Sequence, residues 1–315
     1  MKPQNIVILG GTGFVGSHLV PRLQADGHTI TILSRNREKH RELGVLPRVQ
    51  IVSADVHDGV TLRRHLEGAN VAINLVGILN ERGSNGSGFR KAHVELTDTL
   101  IAACHAARVS RLLQMSALRA GEGESHYLRT RGEAEARVKT SRLAWTIFRP
   151  SVMFGPGDGL FYRFANLLRI TPVLPLARAG AKFAPVYVGD VAQAITRAIA
   201  HPHTAGHTYE FFGPDTITLI DLVRWTAELI GKRRWIIALP DALGFVQASV
   251  GEWLPGKPIS RDNFRSLKLD SVGTQDGLAA LGIVATPMDV VVPALLQGDD
   301  WQRRLDRYRT VHWHG

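Results

Sequence analysis

The chain carries one cysteine, Cys104, so no internal disulfide staples the fold and stability has to come from a packed core. Cys104 lies in the helical pattern Thr97 to Ala107 and reads as a small buried apolar group, which suits a reducing cytoplasm. No uninterrupted apolar run reaches membrane-spanning length. The N-terminus passes from Met1-Lys2-Pro3-Gln4 straight into an apolar strand, leaving no room for a signal peptide. Basic helices, aromatic-interleaved strands and zinc motifs are missing, so nucleic acid is not an expected partner. No glycine-flanked nucleophile elbow occurs, which removes the basis for a Ser-His-Asp triad. Histidine is plentiful but lacks ligand spacing. Its densest cluster, His201-Pro202-His203 with His207, has no cysteine or carboxylate at metal-binding distance in sequence, so no metal is expected. His93 and His105, twelve residues apart in one helical segment, read as structural or surface groups.

What is present is a globular composition: 315 residues, 44% of them hydrophobic, enough for a sizeable core. The 38 basic and 28 acidic residues leave a net charge of +10, spread along the chain. Such a surface favours anionic partners, whether a cofactor, a substrate or an acidic membrane surface.

The chain is organised around Asn5 to Gly16, Asn-Ile-Val-Ile-Leu-Gly-Gly-Thr-Gly-Phe-Val-Gly. Ile6 to Leu9 form the short apolar run of a buried parallel strand, and Phe14 to Leu23 read as a helix after a glycine turn. Gly10 turns the chain sharply, Gly13 lets backbone N–H groups approach a pyrophosphate, and Gly16 lets the helix pack closely. The anion would sit on the unpaired donors and positive dipole of the helix N-terminus. The spacing reads equally as Gly10-x-x-Gly13-x-x-Gly16 or Gly11-x-Gly13-x-x-Gly16.

A second strand, His28 to Leu33, ends in Ser34-Arg35-Asn36-Arg37. Where an NAD site usually places an acid for the ribose hydroxyls, Arg35, Arg37 and Lys39 cluster. This favours NADP(H), with NAD(H) as the alternative. The plainer reading is solvated charge opening a helix from Arg37 to Leu43. A third strand, Val49 to Ser53, precedes Asp55 and Asp58, the latter a helix cap; Val71 to Leu75 is a fourth. Asn80 to Gly88 is a glycine-rich loop whose Gly83, Gly86 and Gly88 suggest mobility, followed by a long helix from Phe89 to Arg108. Arg111 to Met115 and Ala144 to Phe148 are further strands, with a helix Tyr127 to Thr140 between them. The alternation predicts an α/β fold with a doubly wound parallel sheet of Rossmann type.

Beyond Pro150 the rhythm breaks. Ser151 to Gly159 is turn-rich, Thr171 to Pro175 is proline-punctuated, Asp190 is expected to cap an amphipathic helix, and another helix runs from Leu219 to Ile230. Residues 1–155, with 183–212 returning, are expected to form the dinucleotide domain, and 156–182 with 213–300 a smaller lobe over the carboxyl edge of the sheet. Residues 301–315 read as a tail. Trp235 to Pro255 is apolar but broken by Pro240 and Gly244; it reads as a substrate lid or core helix, or alternatively as a membrane-surface or partner-docking element.

Taken jointly, Gly10-Gly11-Thr12-Gly13-Phe14-Val15-Gly16, Gln114-Met115-Ser116-Ala117-Leu118, Tyr127-Leu128-Arg129-Thr130-Arg131, Arg149 to Asp158 and Pro185 to Ala192 resemble the extended and atypical short-chain dehydrogenases/reductases. Within that superfamily the chain looks most like the nucleotide-binding accessory subunits of respiratory complex I and their bacterial epimerase/dehydratase-like relatives. The resemblance implies a nucleotide site of Gly10, Gly11, Thr12, Gly13, Phe14, Val15, Gly16, Ser34, Arg35, Arg37, Asp55, Val56, Leu75, Val76, Gly77, Met115, Ser116, Tyr127, Arg131, Pro150 and Val152.

Active relatives pair a tyrosine with a lysine one helical turn later, and a Ser or Thr after the fifth strand holds the substrate oxygen. A phenol titrates near 10 unless a cation lowers it. Here Tyr127 matches, Arg131 stands at the lysine position, and Ala117 stands where the working hydroxyl is expected, with Ser116 before it. A guanidinium keeps the charge but not the shape of an ammonium. Two expectations follow. The first is an NADP(H)-binding protein of the accessory-subunit type with weak or absent turnover, in the cytoplasm or peripheral at the inner membrane face. Its partners would be a respiratory complex, a quinone or a nucleotide-linked small molecule. The second is an NADPH-dependent reductase or sugar-nucleotide epimerase/dehydratase-like enzyme using Tyr127, Arg131 and Ser116.

Overall fold

The computed structural model describes residues 2–40, 43–254 and 257–296; the side chains of Lys39 and His40 and the stretch Asp299 to Gly315 lie outside that description. The chain opens with β1 (Asn5–Leu9), α1 (Phe14–Ala25), β2 (Thr29–Ser34), β3 (Val49–Ser53), α2 (Gly59–Leu66) and β4 (Val71–Asn74). The helix expected from Arg37 to Leu43 is instead two short 3-10 turns, Arg37–His40 and Leu43–Val45.

The long helix expected next is interrupted. Ser87–Arg90 (α3) passes through a π-helical turn, Lys91–Glu95, into α4 (Leu96–Ala107), so one extra residue is accommodated where His93 sits. Then come β5 (Arg111–Met115), α5 (His126–Thr140) and β6 (Ala144–Pro150). Among the described residues one seven-stranded sheet forms, in the order β11-β6-β5-β4-β1-β2-β3, where β11 is His207–Phe211, and every pairing in it is parallel. Strand order reverses between β1 and β4, and at such a switch point the carboxyl ends of an open α/β sheet leave a crevice for ligands.

Between β6 and β11 the chain makes β7 (Met153–Phe154), α6 (Phe161–Ile170), β8 (Val173–Leu176), β9 (Lys182–Phe183), β10 (Val186–Tyr187) and α7 (Val188–Ala200). After β11 follow β12 (Ile217–Thr218), α8 (Leu219–Leu229), β13 (Trp235–Ala238), α9 (Asp241–Gly251), α10 (Arg261–Ser266) and α11 (Gly277–Ala280). The proline-punctuated stretch Thr171 to Pro175 thus contains most of a strand, β8, which pairs in parallel with β13.

Two apolar cores flank the sheet. Ile6, Ile8, Ile30 and Ile32 pack with α1 and α7 on one face, while Val7, Leu9 and Leu33 pack with α2 and α4 on the other. Each such side chain is essentially sealed from solvent and contributes roughly 1.5–3 kcal/mol. A third core under α6 and α8 is built on Phe154, Phe161, Leu168, Leu222 and Val223.

Asp190 does not cap α7. The N-cap is Tyr187, and the Asp190 carboxylate accepts from the Thr286 N–H at 2.7 Å and hydroxyl at 3.0 Å, tying the chain after α11 to the helix. Asp58 does cap α2, accepting from the N–H groups of Val60 and Thr61. Cys104 is buried, and burial pushes its thiol up to about 12, consistent with a small apolar role.

Candidate dinucleotide site

The glycine turn lies at the switch point. Gly10 has φ +75°, and a Cβ there would meet the Leu75–Val76 backbone at 3.0 Å; Gly16 lies so close to Gly11 that a Cβ would come within 2.2 Å of its carbonyl oxygen. The third glycine therefore packs α1 against the turn itself. α1 begins at Gly13 with no side-chain cap and no acid in its first turn. Its leading N–H groups are left to an anion, so the cradle fits a pyrophosphate. Thr12 and Phe14 are half-buried and Gly13 is exposed, while Gly11, Val15 and Gly16 are buried. His18 in α1 contacts the Pro156 carbonyl at 2.9 Å, bringing the loop after β6 over the turn.

At the end of β2, Ser34 is buried and Arg35 exposed, and Arg37 pairs at 3.0 Å with its neighbour Glu38. Asp55 is exposed and accepts from the His57 N–H, whereas Val56 is buried in the core. Beyond β4, Leu75 and Val76 are half-buried and Gly77 is exposed; Pro150 is buried and Val152 half-buried.

The loop Asn80 to Gly88, expected to be mobile, is tethered. Glu81 accepts from the Gly86 and Gly88 N–H groups at 2.6 and 2.7 Å, and the Lys257 ammonium donates to the carbonyls of Glu81, Arg82 and Gly83. The glycines serve this folded-back path. A Cβ at Gly86 would strike the His126 ring.

Tyr127, Arg131 and Glu135 recur every four residues and share one face of α5. The Tyr127 ring, half-buried, lies edge-on to Phe89 and His93 at 6.1 and 5.6 Å, with the Arg131 guanidinium 5.5 Å from its centroid. Arg131 itself is buried and donates from Nη1 to the carbonyls of Met115 and Val76 at 2.9 and 3.2 Å, fastening the carboxyl ends of β5 and β4 together. Gly77 makes room for it, since a Cβ there would meet Nη2. Its Nε is buried without a partner.

Ser116 is turned the other way. Its hydroxyl donates to Glu135 at 2.6 Å, and the same carboxylate receives the Arg149 guanidinium in a two-point contact at 2.8 and 2.6 Å. That contact raises the Arg149 pKa. Ala117 is buried and offers no hydroxyl. The structure thus brings Tyr127 and Arg131 together and engages Ser116 one helical turn further along.

Sequence reasoning missed two members of the site, Glu135 and Asp262, and read His93 as a structural or surface group. Glu135 was open to discovery, because Tyr127, Arg131, Glu135 and Lys139 are evenly spaced. Asp262 was not. From α10 its carboxylate accepts from the N–H groups of His126 and Tyr127 at 2.6 and 3.0 Å, capping α5 from 135 residues away. His93 is buried and wholly structural in its bonding. The Thr130 hydroxyl gives its proton to the His126 carbonyl at 2.7 Å, which assigns His93 Nδ1 as the donor to Thr130 at 2.9 Å and Nε2 as acceptor of a long contact from the Ile78 N–H. Burial, and secondarily the Arg131 charge, lower its pKa to about 2, so the ring is neutral at any physiological pH. His105 bonds the Ser141 carbonyl at 2.7 Å. His201 and His203 lie ring to ring in a turn, and His207 contacts the Ala205 carbonyl.

The chain belongs to the NAD(P)H-binding family, whose model matches residues 10–202. It is similar to NADH dehydrogenase [ubiquinone] 1 alpha subcomplex subunit 9, mitochondrial, of Rattus norvegicus, with 28% identity over 97% of this chain and 81% of that protein. It is also similar to ceramide reductase of Caulobacter vibrioides, with 29% identity over 75% of this chain and 74% of that one. Among solved structures, dTDP-glucose 4,6-dehydratase DesIV of Streptomyces venezuelae with NAD and TYD bound superposes with a TM-score of 0.76 at 20% identity. The match covers 96% of this chain and 98% of that one, a likeness of fold. Among the described residues no helix is long and apolar enough to cross a membrane.

Proposed function

We propose that the chain holds NADP(H) in preference to NAD(H) and uses it mainly as a structural or sensing element, with weak or absent turnover. Bound nicotinamide would supply hydride chemistry, and the residues around it are what restrain that chemistry. The observation that carries this reading is the commitment of Arg131 to the Val76 and Met115 carbonyls, alongside Ser116 bonded to Glu135 and Ala117 without a hydroxyl. A guanidinium fastened through Nη1 to two backbone oxygens is held in one place, and its planar fork does not grip a nicotinamide ribose as a mobile ammonium would. The preference is supported by Arg35, exposed just beyond β2 in the stretch Ser34 to Arg37, which contains no acid.

Likeness to a mitochondrial NADH dehydrogenase subunit supports a respiratory complex as partner and a peripheral place at the inner membrane face, with a quinone or nucleotide-linked small molecule as candidate ligand at the open sheet end. Fluorescence titration tests the cofactor. NADPH should bind at least roughly tenfold more tightly than NADH, about 1.4 kcal/mol, and Arg35→Asp should erase the difference. Equal affinities in the unsubstituted chain refute the preference.

A second reading, an NADPH-dependent reductase or epimerase/dehydratase-like enzyme, is supported by the Tyr127 ring standing beside the Arg131 cation and by likeness to a ceramide reductase. Nicotinamide oxidation with a panel of quinones, aldehydes and nucleotide sugars, abolished by Tyr127→Phe, would establish it in place of the first.

A further inference from the structure

Helix α9 is packed inside out. Its buried side is a stripe of small residues, Gly244, Ala248 and Gly251, set against Ala177, Phe264 and Ile259. Its large apolar side chains, Leu243, Val246 and Val250, face solvent, and Trp253 in the turn that follows is 89% exposed. A helix of a water-soluble surface is ordinarily arranged the opposite way. The preceding strand behaves alike. In β13, Ile236 packs into the core under α6 and α8, while Trp235 and Ile237 point outward, Trp235 being 76% exposed beside its register partner Val173. Such a surface on a chain of this composition marks an interaction site.

The charge around it selects the occupant. Between Glu228 and Asp241 the chain has Lys232, Arg233 and Arg234 and no acid, with Lys232 and Arg233 exposed next to Trp235. The two acids bordering α9 are already met by cations, Asp241 by Arg178 at 3.1 Å and Glu252 by Arg261 at 2.9 Å. The exposed side chains of β13, α9 and the turn after it thus include apolar groups, two tryptophans and, among the described residues, Lys232 and Arg233 with no ion pair. Apolar area plus basic residues is the combination that holds a monotopic protein on anionic lipid.

We propose that α9 with Trp235, Ile237 and Trp253 is a docking face for an anionic bilayer surface, with Lys232 and Arg233 supplying the headgroup attraction. It deepens the peripheral location proposed above and rests on that reading, but is independent of the nucleotide preference.

The test is flotation of the full chain with phosphatidylcholine vesicles containing about one third phosphatidylglycerol, against vesicles of phosphatidylcholine alone. The chain should float with the anionic vesicles, and added salt should weaken binding. Lys232→Gln with Arg233→Gln should lower partitioning roughly 5-fold for each charge removed. Val246→Ser, Val250→Ser and Trp253→Ser combined should lower it at least roughly tenfold. All five positions are solvent-exposed, so circular dichroism and NADPH titration of the variants should match the unsubstituted chain. No flotation, or flotation unchanged in the triple variant, overturns the proposal. So does a dimer in sedimentation that the triple variant dissolves without any vesicle binding, since the face would then belong to a second copy. A chain that floats but binds NADH as tightly as NADPH defeats the cofactor proposal and leaves this one standing.

Discussion

Replacing His93 with glutamine should flatten the acid limb of the stability curve. His93 is buried against Tyr127 and Phe89, and burial with the nearby Arg131 charge lowers its pKa to about 2. In the unfolded chain the same imidazole titrates near 6.5. Between those values the unfolded state binds one more proton than the native state, so stability is complete above about pH 6.5 and falls as pH drops below it. Each pH unit costs about 1.36 kcal/mol, so near pH 4.5 the loss from this residue is about 2.7 kcal/mol, a hundredfold in the unfolding constant. Burial lowers His28 in the same direction, so the slope of the unsubstituted chain alone would not isolate His93. The difference between the two proteins does. Glutamine offers a donor and an acceptor to Thr130 and the Ile78 N–H but does not titrate. Urea unfolding at neutral pH and near pH 4.5 should show His93→Gln losing about 2.7 kcal/mol less than the unsubstituted protein. Parallel losses would mean that His93 protonates in place, and the sealed pocket described for it would be wrong.

Arg131→Met removes the donors to the Val76 and Met115 carbonyls while relieving a buried guanidinium with an unpaired Nε; the net cost should be about 1–3 kcal/mol by chemical denaturation, and unchanged stability would deny the fastening role. Gly16→Ala drives a methyl into the Gly11 carbonyl, so α1 must shift. We expect about 1–3 kcal/mol of destabilisation and at least roughly tenfold weaker NADPH binding by titration. Asp262→Asn leaves one acceptor for two N–H groups at the start of α5 and should cost about 1–2 kcal/mol, read as a lower urea midpoint at constant slope.

The sheet was legible because its strands are short apolar runs between turn signals; Val49 to Ser53 and Arg111 to Met115 fall on β3 and β5 with no adjustment. β11, His-Thr-Tyr-Glu-Phe, escaped such a reading because only Phe211 of it is buried at the sheet edge, so it carries no apolar run. The π-helical turn at 91–95 leaves no compositional trace, since an extra residue in a helix changes spacing by one and nothing else. At the site, the glycine turn announced itself through residues only that geometry demands. Arg131, Ser116 and Glu135 did not, because which partner a buried polar group chooses depends on strands brought alongside by the fold. The apolar stretch from Trp235 to Pro255 misleads toward a core helix for a related reason. Hydrophobicity ranks residues for burial, but in α9 Gly244 and Ala248 took the inner face because close approach to Ala177 and Phe264 leaves no room for anything larger.

The path of the chain between β6 and β11 has a consequence for how the molecule could come apart. The backbone leaves the sheet at Pro150, returns through α7 and β11, leaves again after Phe211, and comes back at α11, where Leu278 and the following Leu281 rejoin the core around α1 and α7. Met288, Val292 and Leu296 then return to the core under α6 and α8, so that core is tied to the sheet by several crossings, with no single thread to cut. A protease nicking one crossing should yield fragments that stay associated and still co-migrate under native conditions. Nor could the segments under α6 and α8 be exchanged for others by splicing at one point, as a bead on a string can. Any change of partner or ligand has to be made by substitution in place.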